Sequence, residues 1–274
     1  IRETDAIVEV VRCFENSNVV HVDGSINPIR DIETINLELI FADIETVNKR
    51  IDKAKKNLKA DKKYQVEIDL LERILETLES GKSARTLDFN DEEQSMVKEM
   101  FLLTTKPILY VANVSEEQLE NAEQDENVQK VKQYASEEGA EVVPLCVKME
   151  EELSGLDDED KKEMLAMYNL DESGLDKVVR KSYDLLGLMS FLTAGEPEVR
   201  AWTIKKGTKA PEAAGKIHSD IQRGFIKAEV VSYDDLIKEG SMVAAKERGL
   251  VRSEGKEYVM QDGDIVLFKF NVSK

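Results

Sequence analysis

The chain has 274 residues, 41% apolar and 34% charged, with 38 Lys/Arg against 56 Asp/Glu for a net charge of −18. That length suffices for about two domains with buried cores, and no apolar run approaches the roughly 20 residues that a membrane span requires. Cys13 and Cys146 stand too far apart for a metal or redox spacing motif and no secretory pattern is visible, so the expected setting is the reducing cytoplasm.

The charge is uneven. Residues 191–274 carry 14 Lys/Arg against 13 Asp/Glu, a balance of +1, which leaves −19 for residues 1–190. An acidic surface repels polyanions, so this average assigns any nucleic-acid contact to the C-terminal third. The sequence opens on Ile1 in what reads as a helix end running into a strand, and an N-terminal portion is expected to precede it.

Residues 5–14 (DAIVEVVRCF) are rich in Val and Ile and predict a central strand, followed by a loop with Asn16, Asn18 and Gly24. His21 sits in that loop between Val20 and Val22. It is either a packed residue or a group whose neutral ring orients an attacking water near pH 7. From Leu37 the period changes: Leu37, Ile40, Ile44, Val47, Ile51, Ala54 and Leu58 alternate steps of three and four, a heptad seam. A polar break at residues 59–63 (KADKK) follows, and the seam resumes at Tyr64, Ile68, Leu71, Leu75 and Leu78. Lone helices of this length are marginal in water, whereas each buried Leu or Ile adds roughly 1.5–3 kcal/mol, so the two should pair as an antiparallel hairpin. Such hairpins serve as spacers or partner arms.

Gly81 ends the second helix, and Asn90 with Glu93 offers a reciprocal cap for a third helix running to Leu103. Residues 108–112 (ILYVA) have the length and branching of a strand buried on both faces. A polar helix at 127–138 and a strand at 141–145 complete a β-α-β pattern, which implies a right-handed parallel sheet with the hairpin inserted between two of its strands. An acidic helical segment spans 154–168, and 175–188 should be the closing helix. Beyond Phe191, strands at 199–204, 224–231 and 263–270 with a short helix at 213–222 make a small α+β module. Its Arg200, Lys205, Lys206, Lys209, Lys216, His218, Arg223 and Lys227 crowd one segment and favour RNA, with Trp202 or Phe225 able to stack on bases.

Ligands of open α/β sheets bind at the carboxyl ends of the strands, which brings Asn113-Val-Ser-Glu116 and the 145–148 turn (LCVK) into view. Asn113 carries both a donor and an acceptor and can pair with one edge of adenine, or it caps the helix that follows. One decoy is removed by spacing. The segment from Gly207 to Ile217 puts seven residues between its glycines and Ile217 after the lysine, whereas a phosphate loop needs four and then Ser or Thr.

Taken together, residues 1–24 (IRETDAIVEVVRCFENSNVVHVDG), NVSE, VPLCVKMEEEL, the block from Phe191 to Val231 and the DGDIVLFKFN ending resemble the Obg-like ATPases, the YchF branch of the P-loop GTPases. The resemblance implies a partial P-loop NTPase parallel sheet (residues 1–35 and 101–190), an inserted antiparallel coiled-coil hairpin (36–100), and a C-terminal α+β TGS module of β-grasp type (191–274). It implies ATP preferred over GTP, Mg²⁺-dependent hydrolysis, and a ribosome-associated role in translation or stress regulation. RNA or ribosome contact is implied through the TGS module, with the coiled coil as a further candidate, and neither a membrane nor a specific DNA sequence is an expected partner. Guanine-specific relatives read the base with Asn-Lys-x-Asp; here Val114 stands for Lys and Glu116 for Asp, and both changes weaken guanine reading. Base-side residues carried over are Asn113, Val114, Glu116, Leu145, Cys146 and Val147, with His21 as the water-handling candidate. The phosphate loop, the switch segments and the Mg²⁺ ligands of the pattern fall outside this sequence, so the chain by itself should bind nucleotide poorly and hydrolyse none. The competing reading is a non-catalytic RNA- or ribosome-binding scaffold with a vestigial nucleotide site.

Overall fold

A computed structural model describes residues 1–16, 25–58, 61–195 and 198–271. The chain divides into two compact units, Ile1–Ser182 and Tyr183–Lys274. Among the described residues no helix is long and apolar enough to cross a membrane.

In the first unit, strand β1 (Ile7–Arg12) is followed by helices α1 (Pro28–Leu58), α2 (Tyr64–Glu79) and α3 (Asp91–Lys98), then β2 (Ile108–Asn113), α4 (Glu126–Glu137) and β3 (Glu141–Leu145). The three strands form a parallel sheet in the order β1-β2-β3. The central strand is β2, whose first five residues are buried, which is why its sequence is an unbroken apolar run. Val11, Tyr110, Ala112, Val128, Val131 and Met149 share one core around it.

The hairpin inserts between β1 and β2 as its periodicity predicts, with one change of register. Helix α1 starts at Pro28, a residue whose fixed φ suits a first helical turn, and its buried stripe is Ile32, Asn36, Ile40, Asp43, Val47, Ile51 and Ala54. Leu37, expected on the seam, is 44% exposed. Two polar residues occupy seam positions that a search for apolar spacing passes over. On α2, Ile68, Leu70, Leu71, Ile74 and Leu78 are buried, and Arg50–Glu67 (2.6 Å) and Lys55–Glu72 (3.0 Å) ion pairs bridge the helices.

The expected capping box of Asn90 and Glu93 opens α3, but the helix ends at Lys98 rather than Leu103. The cause is Asp43. Its buried carboxylate accepts from the Leu103 and Thr104 amides (3.0 and 2.7 Å) and the Thr104 hydroxyl (2.8 Å), while Arg2 donates to it and to the Phe101 carbonyl. The chain turns through Phe101 at φ 52°, a left-handed conformation that costs a bulky residue energy and that these hydrogen bonds hold in place.

After β3 come α5 (Val147–Ser154), α6 (Asp158–Met167) and α7 (Gly174–Leu185). The acidic stretch is thus two helices, separated where Asp157 caps α6 by accepting from the Glu159 and Asp160 amides. The stretch read as a loop beyond Cys146 is helical from Val147.

The second unit holds β4 (Leu188–Ala194), β5 (Val199–Lys205), α8 (Ala210–Ile217), α9 (Ser219–Arg223), β6 (Phe225–Ser232), α10 (Tyr233–Glu239), α11 (Met242–Glu247), β7 (Arg252–Glu254) and β8 (Asp264–Phe270). Its five strands run in the order β5-β4-β8-β6-β7, with β4 and β8 parallel and the other pairs antiparallel, the arrangement of a β-grasp sheet. Ala210, Ala213 and Ala214 of α8 pack against Phe191, Ile204 and Phe225, while α10 and α11 cover Val231 and Ile265. Three of these strands are legible in sequence. The run at Leu188 belongs to a strand rather than the closing helix, because Gly187 (φ 60°) ends that helix.

Candidate functional site

Parallel strands deliver their carboxyl ends to one rim, and here the chain stays tied together beyond those ends. The Cys13 amide donates to the Asn113 carbonyl (2.8 Å) and the Val114 amide to the Leu145 carbonyl (2.9 Å). Asn113 Oδ1 accepts from the Val147 amide (3.1 Å), and Lys148 Nζ lies 2.7 Å from Glu116 Oε1. The 113–116 and 145–148 turns are therefore linked by backbone, amide and ion pair at the edge of one sheet.

The alternative role for Asn113, capping the next helix, is taken by Ser115, which forms a reciprocal cap with Gln118 at the head of a 3-10 segment (Glu116–Gln124). Asn113 instead reaches the first amide of α5. With Oδ1 accepting from Val147, its Nδ2 and a second Oδ1 lone pair remain as one donor and one acceptor.

A cleft of about 370 Å³ opens on this rim. Asn113, Val114, Glu116 and Cys146 line it, as do Phe14, Asn16 and Lys148. Leu145 and Val147 are not among its lining residues and act through the hydrogen bonds just described. Val114 contributes little chemistry: its side chain is 1% exposed and its amide is already committed to Leu145, so neither covers or holds a ligand. Burial raises the Cys146 thiol above its ordinary range, outweighing the Lys148 and Met149 amides at the head of α5, so it is a poor nucleophile. The Lys148 ammonium is likewise held above its ordinary value by its hydrogen bond to Glu116. His21 lies outside the described residues.

Phe14 and Asn16 were missed by sequence reading, although the rule that strand ends converge would have found them, since they follow β1 directly. Arg12 organises them: its Nε donates to the Phe14 carbonyl (3.1 Å), its Nη2 to the Asn16 carbonyl (3.2 Å), and its guanidinium lies 4.8 Å from the centre of the Phe14 ring. The 145–148 turn is braced by Gly174, where a Cβ would stand 2.4 Å from Leu145 Cβ, and by Glu150, which accepts from the Gly174 and Leu175 amides (2.7 and 3.1 Å).

Within the C-terminal basic cluster several cations face acids, while Lys216 is exposed with no ion pair among the described residues. Lys206 pairs with Asp184 (2.8 Å), Lys209 with Glu257 (2.5 Å), Arg223 with Asp220 and Lys227 with Glu229 (3.8 Å), while Lys205 donates to the Leu186 carbonyl. Trp202 is covered by Arg200, 4.1 Å from its ring, and donates to Thr193; Phe225 is 6% exposed. Phe225 is thus withheld from stacking on a base, whereas Trp202 is half-buried.

Residues 188–271 match the family model YchF-GTPase_C, described as a protein of unknown function (DUF933). A Bacillus subtilis protein named Ribosome-binding ATPase YchF is 54% identical over 273 residues, covering 99% of this chain and 75% of its own length. The chain belongs to the YchF family. A Shigella flexneri YchF of the same name is 45% identical, with 99% of this chain and 74% of its own covered. The structure of the Schizosaccharomyces pombe YchF GTPase superposes with a TM-score of 0.82 at 35% identity, covering 98% of this chain and 73% of the other. The YchF fold thus extends over both units.

Proposed function

We propose that the rim cleft is the base half of an adenine-preferring nucleoside triphosphatase site in a ribosome-associated regulator of translation or stress. The observation that carries the reading is the Val147 amide donating to Oδ1 of Asn113, a residue that lines the cleft and keeps one donor and one acceptor to spare. Such an amide matches the N6 amino group and N7 of adenine. Guanine instead presents N–H donors that need a free carboxylate, and Glu116 is engaged by Lys148. The names of the bacterial relatives, Ribosome-binding ATPase, support both ATP as substrate and the ribosome as partner.

ATP, with GTP weaker, would be held by Asn113 beside Glu116, with Cys146 flooring the cleft. Bound Mg²⁺ would supply charge neutralisation of the phosphates, and among the described residues no group of three or more His, Cys, Asp or Glu is placed to ligate it. Hydrolysis rests on positioning and on that neutralisation, so the chain alone should not turn over ATP.

The test is competition of ATP and GTP for labelled ATP, on protein that carries the phosphate-binding segment of its relatives. ATP should displace the label at lower concentration. Asn113→Ala should weaken ATP by roughly ten- to a hundredfold, the worth of one bidentate base contact. GTP binding equal to or tighter than ATP would remove the reading.

A further inference from the structure

Among the described residues the rim cleft is lined by three carboxylates, Glu15, Glu116 and Glu117, and by one cation, Lys148. We propose that Lys148 is the residue that sets the base preference of this site: by holding one oxygen of Glu116 it presents a cation, in place of a free carboxylate, to the purine edge that carries N1. The inference deepens the base-site reading and rests on it.

A purine read through N6 and N7 by Asn113 keeps N1 and C2 for the ionisable groups of the lining. At those two atoms the purines are opposites. Guanine carries N–H at N1 and an amino group at C2, two donors that a carboxylate can accept with both oxygens, whereas adenine has a bare acceptor at N1 and no donor at C2. Glu116 does not have both oxygens to offer. Its Oε1 is buried and lies 2.7 Å from Lys148 Nζ, so at most one carboxylate oxygen remains for a base. The ammonium itself donates and never accepts, which suits N1 of adenine and opposes the N1–H of guanine.

Ordinary structural reasons do not account for the lysine. Lys148 is the second residue of α5, where the unpaired amides of the helix start favour an acid over a base. Its other acid, Glu152, is 3.9 Å away and follows it in the i,i+4 order with Lys first, the weaker of the two orders on a helix. The ion pair is not required to hold the two turns together either. The Val147 amide on Asn113 (3.1 Å) and the Val114 amide on the Leu145 carbonyl (2.9 Å) already do that. With its side chain 71% exposed, Lys148 can be replaced at little cost to the fold, which makes selectivity readable on its own.

The experiment titrates ATP and GTP separately against labelled ATP, on protein that carries the phosphate-binding segment of its relatives. The parent is compared with Lys148→Met, Lys148→Arg, Glu116→Gln and the Glu116→Gln/Lys148→Met pair, and thermal melting checks that each is folded. Lys148→Met should tighten GTP by roughly tenfold, about half on a logarithmic scale of what a bidentate base contact discriminates, while ATP stays level or weakens. Lys148→Arg keeps a cation on Glu116 and should keep the parent's ratio of ATP to GTP affinity. In the Glu116→Gln background, Lys148→Met should no longer help GTP, because no carboxylate is released. An unchanged ratio in Lys148→Met overturns the assignment, and so does a GTP gain that persists without the Glu116 carboxylate. An equal loss of both nucleotides also overturns it, since that is the signature of a general attraction for phosphates or of a loosened rim. Each of those results leaves the adenine reading in place. GTP binding as tight as ATP in the parent protein removes that reading, and this one with it.

Discussion

At the scale of single residues, the structure turns on polar groups that hydrophobic patterning does not register. Ile40 and Val47 are legible on α1 from their spacing, and both are buried. Asp43, between them and fully buried, is not, because a carboxylate on an apolar stripe reads as a gap. What recovers it is the tertiary fact that three donors from Leu103 and Thr104 converge on it from 60 residues away in the chain. Asn113 lies at the other extreme, found from sequence because its position at a strand end is dictated by topology. Its partner, the Val147 amide, became visible only once α5 was seen to start there. Removing the Asp43 carboxylate strands those donors without water. Asp43→Ala should therefore cost roughly 3–5 kcal/mol, seen as a lower urea midpoint at unchanged slope, with Asp43→Asn recovering part of the loss. A change under about 1 kcal/mol, the range of an exposed pair, would show that the 101–104 turn holds itself.

At the scale of elements, the fold was most readable where one face decides everything. The β2 run and the hairpin each follow from a single period. The segments missed, α5, α10, α11 and β7, are three to eight residues long, too short for a period to rise above chance. The brace behind the 145–148 turn depends on one such junction. Helix α7 begins on Gly174 because any larger residue would strike Leu145, while Glu150 caps the same helix from α5. A methyl at that point cannot be absorbed by a flexible side-chain end, since its nearest neighbour is a Cβ. Gly174→Ala should cost about 1–3 kcal/mol from overpacking, despite the better helix propensity of Ala. Because Leu145 receives the Val114 amide, the same substitution should weaken nucleotide binding in protein carrying the phosphate segment. Thermal melting and nucleotide titration of one variant read both effects; a stabilised protein with unchanged affinity would dissociate α7 from the site.

For the molecule as a whole, charge is informative only when resolved to the right length. A net of −18 said little about partners, and the division at residue 190 says little more, because neither separates cations that have carboxylate partners from cations that do not. The interior of the first unit shows the same principle with a pH signature. Glu9 of β1 is buried near Arg85, but Arg85 already pairs with Glu138 (3.2 Å), which also accepts from Tyr110 (3.0 Å). Tyr134 and Asn36 complete the surroundings, bonded to each other, and Glu9 Oε2 has no hydrogen-bond partner among the described residues. Desolvation first, offset by Arg85 and reinforced by Glu138, lifts the Glu9 carboxyl from 4.5 to about 7. Between those values the folded chain keeps a proton that the unfolded chain releases, so the unfolded state binds fewer protons and stability falls as pH rises. One proton corresponds to about 1.4 kcal/mol per pH unit, and partial solvation of the site makes that an upper bound. The burden is therefore absent below the unfolded value and complete above the folded one. Glu9→Gln, neutral throughout, should flatten the decline across that window and leave the variant more stable than the parent at pH 8, as read by urea unfolding at several pH values. Parallel curves for the two proteins would place the proton uptake elsewhere and leave Glu9 charged in the core.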